Sequence, residues 1–153
     1  EERRQNERRR HAHPVDEALT LEEGLLSIAL SGNLSSGDDW ESEVFLPHPY
    51  TFSMMKLFAF RDRLEDPNKE FGRYHALDLY TILATTTEGE WEYGLHLRDQ
   101  YKDDPSAKEA GILVSEYFSS QERLGMIRLM ESPYYRPELQ NEDFISALQE
   151  MFP

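Results

Sequence analysis

The sequence predicts a mostly helical α+β fold, in which a small β-sheet remnant precedes a bundle of about five to six helices. In residues 25–30, apolar residues alternate with small ones, as in a β-strand, and residues 43–46 are typical of a second strand. From Tyr50 onward, apolar residues recur at helical spacing. The length of 153 residues, with 39% hydrophobic and 12% aromatic residues, fits one domain with a packed core.

Composition divides the chain into three segments. Residues 1–13 contain five Arg, three Glu and a single apolar residue, Ala12, and therefore cannot bury a face. We predict a basic flexible arm there, either a solvated tail or a surface for nucleic acid or an acidic partner. Residues 14–49 form the small β portion, and residues 50–153 form the helical domain.

The β portion is predicted to contain two strands. Their positions are residues 25–30 and 43–46, joined by a loop at residues 31–39 that is rich in Gly, Ser and Asp. Before the first strand, Thr20 and Glu23 have the spacing of a helical capping box, although a strand or a turn fits this short segment equally well.

The helical pattern continues to the end of the chain. The first helix is apolar nearly all round, which predicts burial on most sides. Pro105 suits the first turn of the fourth helix, and Asn141 is the predicted N-cap of the last one. The predicted helices are residues 50–63, 74–84, 88–101, 105–118, 121–130 and 141–151.

Charge and composition limit the possible partners. The net charge of -14 disfavours nonspecific binding of DNA or RNA, because the field of the chain repels phosphates. The absence of cysteine excludes disulfides and thiol nucleophiles. No apolar run reaches the length of about 18 residues that a membrane helix needs, and no secretory signal is visible, so we expect a cytoplasmic protein without a membrane partner. The chain begins at Glu1 without an initiator Met, which suggests a fragment or a processed form.

Lys56 is the residue that points most directly to a binding site. It lies between Met55 and Leu57 in the apolar first helix, where burial of an unpaired ammonium group costs several kcal/mol. The side chain must therefore reach water, pair with a carboxylate or meet an anionic ligand. Asp78, on the second helix, is the candidate carboxylate.

Further cations surround this position in the sequence. Arg63 follows Lys56 by seven residues, or two helical turns, and shares its face. Arg73 precedes the second helix, whose positive dipole end and free N–H groups suit phosphate. The candidate nucleotide-binding residues are Lys56, Arg61, Arg63, Arg73 and Asp78. The alternative is a structural ion-pair network that fastens the two helices together.

Three other groups of residues support weaker functional hypotheses. His75 and Asp78 have the i, i+3 spacing of a metal or acid–base pair, although a capping or hinge role fits more simply. Asp38 and Asp39 are either a Mg²⁺ site or a solvated loop. Residues 134–136, Tyr-Tyr-Arg, either stack on a base or seal a helix joint.

Two short motifs carry a family resemblance. Residues 56–60 read Lys-Leu-Phe-Ala-Phe, followed by Arg61 or Arg63, and residues 78–80 read Asp-Leu-Tyr at the start of the next helix. Over residues 40–85 this pattern resembles the nucleotidyltransferase-like family of abortive-infection toxins of the AbiEii type. Such proteins transfer a nucleotide from a nucleoside triphosphate with Mg²⁺ held by acidic residues of a sheet.

The resemblance implies that Lys56 contacts the triphosphate or donates a proton, and that Asp78 orients Lys56. It also implies a nucleoside triphosphate with Mg²⁺ as ligand and a cognate antitoxin as protein partner. No Gly-Ser turn followed by Asp-x-Asp occurs, so the resemblance covers a C-terminal half and leaves the catalytic residues unassigned. The sequence thus predicts a nucleotidyltransferase-like protein of doubtful activity in this chain alone. The alternative is a noncatalytic helical protein-interaction module.

Overall fold

The structure is a computed structural model that describes residues 20–153. Within this range it is mostly helical, with six α-helices and a two-stranded antiparallel sheet, which confirms the predicted fold class. The elements are β1 (Leu26–Asn33), β2 (Asp39–Leu46), α1 (Pro49–Arg63), α2 (Arg73–Thr85), α3 (Glu88–Tyr101), α4 (Pro105–Tyr117), α5 (Leu124–Met130) and α6 (Asn141–Met151). The arm predicted at residues 1–13 lies outside the described residues. No helix in residues 20–153 is both long and apolar enough to span a membrane.

The two strands form a longer hairpin than the sequence predicted. Pairing runs from Leu26 opposite Leu46 to Asn33 opposite Asp39, so the prediction of a loop over residues 31–39 is wrong at both ends. The turn is tight because Gly37 adopts a φ of 91°, which favours glycine. The shorter connection leaves residues 31–33 and 39–42 free to pair.

The segment before β1 is a turn and not the start of a helix. The Thr20 side chain is buried, and its hydroxyl group is hydrogen-bonded to that of Thr51 on α1. The Glu23 carboxylate accepts a hydrogen bond from the Tyr101 hydroxyl on α3. Both groups of the supposed capping box are thus engaged with distant helices, and that interpretation is wrong.

Helix α1 lies at the centre of the fold and contacts α2, α3 and α4. Its buried apolar residues are Tyr50, Met54, Leu57, Phe58 and Phe60, as expected for a helix that is buried on most sides. Each such side chain contributes about 1.5–3 kcal/mol when it leaves water. Phe60 packs on Phe118 at 5.1 Å between ring centroids, and Phe118 meets Phe144 of α6 at 6.3 Å. This row of rings connects α1 with the C-terminal helix.

A glycine sets the angle at which the chain enters α2. A 3-10 helix, Pro67–Gly72, follows α1, and Gly72 has a φ of 79°. A Cβ atom at this position would lie 2.9 Å from the ring of Phe60, so a side chain is excluded on steric as well as conformational grounds. Gly72 therefore lets α2 begin directly against the core.

The start of α5 and the N-cap of α6 differ from the prediction. Helix α5 begins at Leu124, after a turn, and not at residue 121. Gln140 occupies the N-cap position of α6 without a side-chain hydrogen bond, so the prediction of Asn141 as the cap is wrong. The physical reason is that the Asn141 side-chain oxygen accepts a hydrogen bond from the Tyr135 hydroxyl at 2.6 Å.

His48 caps α1 with its imidazole ring. The ring is buried, its Nδ1 accepts a hydrogen bond from the Tyr50 N–H at 3.2 Å, and Tyr93 packs edge-on at 5.1 Å. Burial holds the pKa of His48 below its ordinary value, and the nearby Glu90 carboxylate opposes this shift. The cap therefore requires the neutral ring.

Acidification below pH 6.5 is expected to lower the free energy of unfolding. Because the pKa of His48 is lowered in the folded state, the unfolded chain takes up the proton first as the pH falls, and stability declines until the folded state is protonated as well. Urea titrations at several pH values measure this decline. In His48→Asn, which retains an acceptor but does not titrate, the decline should be smaller, and identical pH profiles would contradict the assignment.

Candidate functional site

Lys56 and Asp78 form an ion pair between α1 and α2. The Lys56 Nζ atom lies 2.7 Å from Oδ2 of Asp78, which confirms the carboxylate that the sequence suggested as its partner. The same ammonium group lies 5.0 Å from the centroid of the Phe52 ring, close enough for a cation–π contact. The exposed fractions of the side chains are 20% for Lys56 and 46% for Asp78. The pair is thus open to solvent on one side.

An open groove of about 310 Å³ adjoins this ion pair. Within it, the hydroxyl groups of Thr81 and Thr85 donate to backbone carbonyls of their own helix, at 2.9 and 2.8 Å. Lys56 has three N–H donors, and its bond to Asp78 occupies one of them. The remaining donors are available to an anion in the groove. The lining residues are Phe52, Lys56, Asp78, Thr81, Ile82 and Thr85.

The pKa of His75 depends on the charges beside the groove. The residue is half-buried, and its Nδ1 has no hydrogen-bond partner among the described residues. Burial lowers the pKa of His75, the positive charges of Lys56 and Arg63 lower it further, and Asp78 opposes them. Two cations and one carboxylate therefore act on the same ring, which remains neutral near pH 7.

The two other candidate arginines point to different parts of the fold. Arg61 is ion-paired with Asp62 at 2.9 Å and with Glu109 of α4. Arg73, the first residue of α2, lies 3.5 Å from the carboxylate of Glu70 in the 3-10 helix. Neither arginine lines the groove. The structure thus brings Lys56 and Asp78 together, with Arg63 near enough to act on His75.

The weaker candidates have local roles. Asp38 accepts a hydrogen bond from the Ser36 hydroxyl at 2.8 Å, and Asp39 accepts one from the Asn33 amide at 2.6 Å. In the described part of the chain, no three His, Asp or Glu side chains are grouped so that they could hold a metal ion. Tyr135 packs against Tyr80 of α2 at 5.3 Å between ring centroids.

The apolar wall of the groove was not predicted from the sequence. Phe52 precedes Lys56 by four residues, and Ile82 follows Asp78 by four. Residues at this spacing lie on the same face of a helix, so extending the two faces from the ion pair would have found both. Thr85 continues the α2 face by one further turn.

Comparison of this chain with family models, with curated proteins and with solved structures finds no match in any of the three. The resemblance over residues 40–85 therefore stays a prediction. Function has to be inferred from the geometry and the charges of the groove.

Removal of the Lys56 charge should raise the pKa of His75. Lys56→Met eliminates a cation that lowers the pKa of His75. Asp78→Asn eliminates a carboxylate that raises the pKa of His75 and should therefore shift it downward. NMR titration of the imidazole signals measures both shifts. Lys108→Met, an exposed change on α4, is the matched control and should have no effect. A shift of the same sign in the Lys56 and Asp78 variants would contradict the arrangement.

Proposed function

We propose that this chain contributes the nucleotide-facing helical part of a nucleotidyltransferase-like, toxin-type protein, in which Lys56 binds the phosphates of a nucleoside triphosphate. The observation that carries this proposal is the position of the Lys56 ammonium group in the wall of an open groove, where a single carboxylate oxygen holds it. An ammonium group in such a place can keep its partner and still accept an anionic ligand.

The local charge supports an anionic ligand. Lys56 and Arg63 supply two positive charges near one negative charge from Asp78, and together the cations lower the pKa of His75. The chain as a whole carries a net charge of -14, so an ammonium group that faces an open groove stands out against its surroundings. Phosphates would be attracted to this groove and repelled elsewhere.

Asp78 has a positioning role in this proposal. Its Oδ2 atom fixes the ammonium group of Lys56 above the Phe52 ring, so that the lysine is ordered before a ligand arrives. Ordering a long side chain in advance reduces the entropy that binding costs.

Mg²⁺ requires carboxylate and other oxygen ligands, and residues 20–153 contain no group of three acidic or histidine side chains that fits one. For this chain we therefore propose binding of the triphosphate and assign no transfer step. The resemblance further leads us to propose a cytoplasmic location and a cognate antitoxin as protein partner.

A second candidate function is a noncatalytic helical interaction module, in which the ion pairs only fasten helices together. The short Lys56–Asp78 contact and the pairing of Arg61 with Glu109 of α4 favour it. In this case Lys56 is needed for folding and the groove has no nucleotide ligand.

Nucleoside triphosphates with MgCl₂ should raise the melting temperature of the wild-type chain. A ligand that binds only the native state adds RT ln(1 + [L]/Kd), or about 2.7 kcal/mol at a hundredfold excess over Kd. Differential scanning fluorimetry with ATP, GTP, CTP and UTP measures the shift. Lys56→Met should abolish the shift while it changes the melting temperature of the free protein by about 4 °C or less.

The matched control is Lys108→Met, which removes the same charge from an exposed position and should keep the shift. Nucleosides without phosphates should give no shift. An equal shift in the wild type and in Lys56→Met would contradict the proposed site. Unfolding of Lys56→Met, together with no shift in the wild type, would favour the interaction module.

A further inference from the structure

One face of the β-hairpin is apolar, and the other carries Asp39, Glu41 and Glu43 together with Phe45. Residues that pair directly across the hairpin lie on the same face, because side chains alternate along each strand. Ile28 is opposite Val44, and two residues further along Leu30 is opposite Ser42. The apolar hairpin face is formed by Leu26, Ile28, Leu30, Trp40, Val44 and Leu46.

This apolar hairpin face is largely exposed. The exposed fractions are 39% for Ile28 and 41% each for Leu30, Trp40 and Leu46. A two-stranded sheet is only marginally stable in water without something packed on its apolar face. Contiguous apolar surface of this kind marks an interaction site in a folded protein.

A pocket at the base of the face offers an anchor point. It has a volume of about 180 Å³ and lies between the hairpin and the helices, with Leu26, Leu46, Phe52 and Ile82 among its lining residues. Glu90 also lines it, and hydrogen bonds from Thr87 hold the pKa of this carboxyl below its ordinary value. The pocket therefore combines apolar walls with a negative charge, which suits a large apolar side chain next to a cation.

The charged residues of the chain segment that carries this face are all acidic. Residues 20–55 contain no Lys or Arg, and Lys56 is the first cation after them. Such a surface favours a partner of opposite charge. The six carboxylates of this segment are Glu22, Glu23, Asp38, Asp39, Glu41 and Glu43.

Two other candidates for covering the apolar hairpin face, residues 1–19 and a second copy of the chain, fit less well. Residues 1–19 contain only Ala12, Val15, Ala18 and Leu19 as apolar residues besides one proline, too few to cover the face. These residues hold five Arg and five carboxylates, so residues 20–153 account for the whole net charge of -14. A second copy would therefore bring the same large negative charge to the interface, which disfavours self-association.

We propose that the apolar hairpin face docks an amphipathic, Lys- or Arg-rich segment of a partner protein. One large apolar side chain of that segment fills the pocket beside Phe52 and Ile82. Its flanking cations lie near Glu90, and the hairpin carboxylates attract them through the field of the chain from the opposite face of the sheet.

A synthetic amphipathic peptide of Leu and Lys, about 16 residues long, is a suitable probe. At physiological salt it should bind the chain in calorimetry and slow amide hydrogen exchange in residues 26–46. A Leu–Glu peptide of the same pattern tests the charge requirement, and a Ser–Lys peptide tests the apolar requirement. Neither of these two should bind measurably.

Substitutions in the chain test where the peptide binds. Ile28→Ser combined with Leu30→Ser should weaken binding of the Leu–Lys peptide about tenfold or more. The matched control is Ile112→Ser on α4, which changes an apolar residue that is 62% exposed and should leave binding unchanged. Glu41→Gln combined with Glu43→Gln keeps the apolar face and should weaken binding through the lost charge alone.

Three results would overturn the proposal. The first is equal binding of the Ser–Lys and Leu–Lys peptides, which indicates attraction by charge alone. The second is undiminished binding to the Ile28→Ser/Leu30→Ser variant. The third is a dimer of the free chain in light scattering that this double substitution converts to a monomer, because a second copy then covers the face.

Discussion

The ion pair between Lys56 and Asp78 is the interaction on which the site depends. An ammonium group in a helix whose neighbouring residues Leu57 and Phe58 are buried needs a counter-charge, because its lost hydration is otherwise not compensated. Asp78 supplies that charge from α2, and the partial exposure of both side chains keeps the pair in contact with solvent. Burial lowers the pKa of His75, and the two members of the pair act on it with opposite signs.

The features of the sequence that depend on local physics were predictable. The helical spacing of apolar residues located α1 to α4, and the requirement for a counter-ion led from Lys56 to Asp78. Features that depend on distant contacts were not. The hydroxyl of Thr20 meets that of Thr51, thirty-one positions away, and the side chain of Asn141 is engaged by Tyr135. No local pattern encodes such partners.

Two surfaces of opposite character meet on one side of the molecule. Phe52, Ile82 and Thr85 line both the groove beside Lys56 and the pocket at the base of the hairpin. The groove presents the Lys56 ammonium group beside the Asp78 carboxylate, whereas the hairpin carries only carboxylates among its charged side chains. The hairpin would attract a basic polypeptide and repel a phosphate.

A double-mutant cycle on the ion pair tests the central claim most directly. Urea unfolding of the wild type, Lys56→Met, Asp78→Asn and the double variant gives the coupling energy between the two side chains. Because the Asp78 side chain is 46% exposed, the account predicts a coupling of about 1 kcal/mol or less and a folded protein in every variant. The prediction would be contradicted if each single substitution lowered the free energy of unfolding by about 3–5 kcal/mol while the double variant stayed close to the wild type. That pattern is typical of an ion pair buried away from solvent.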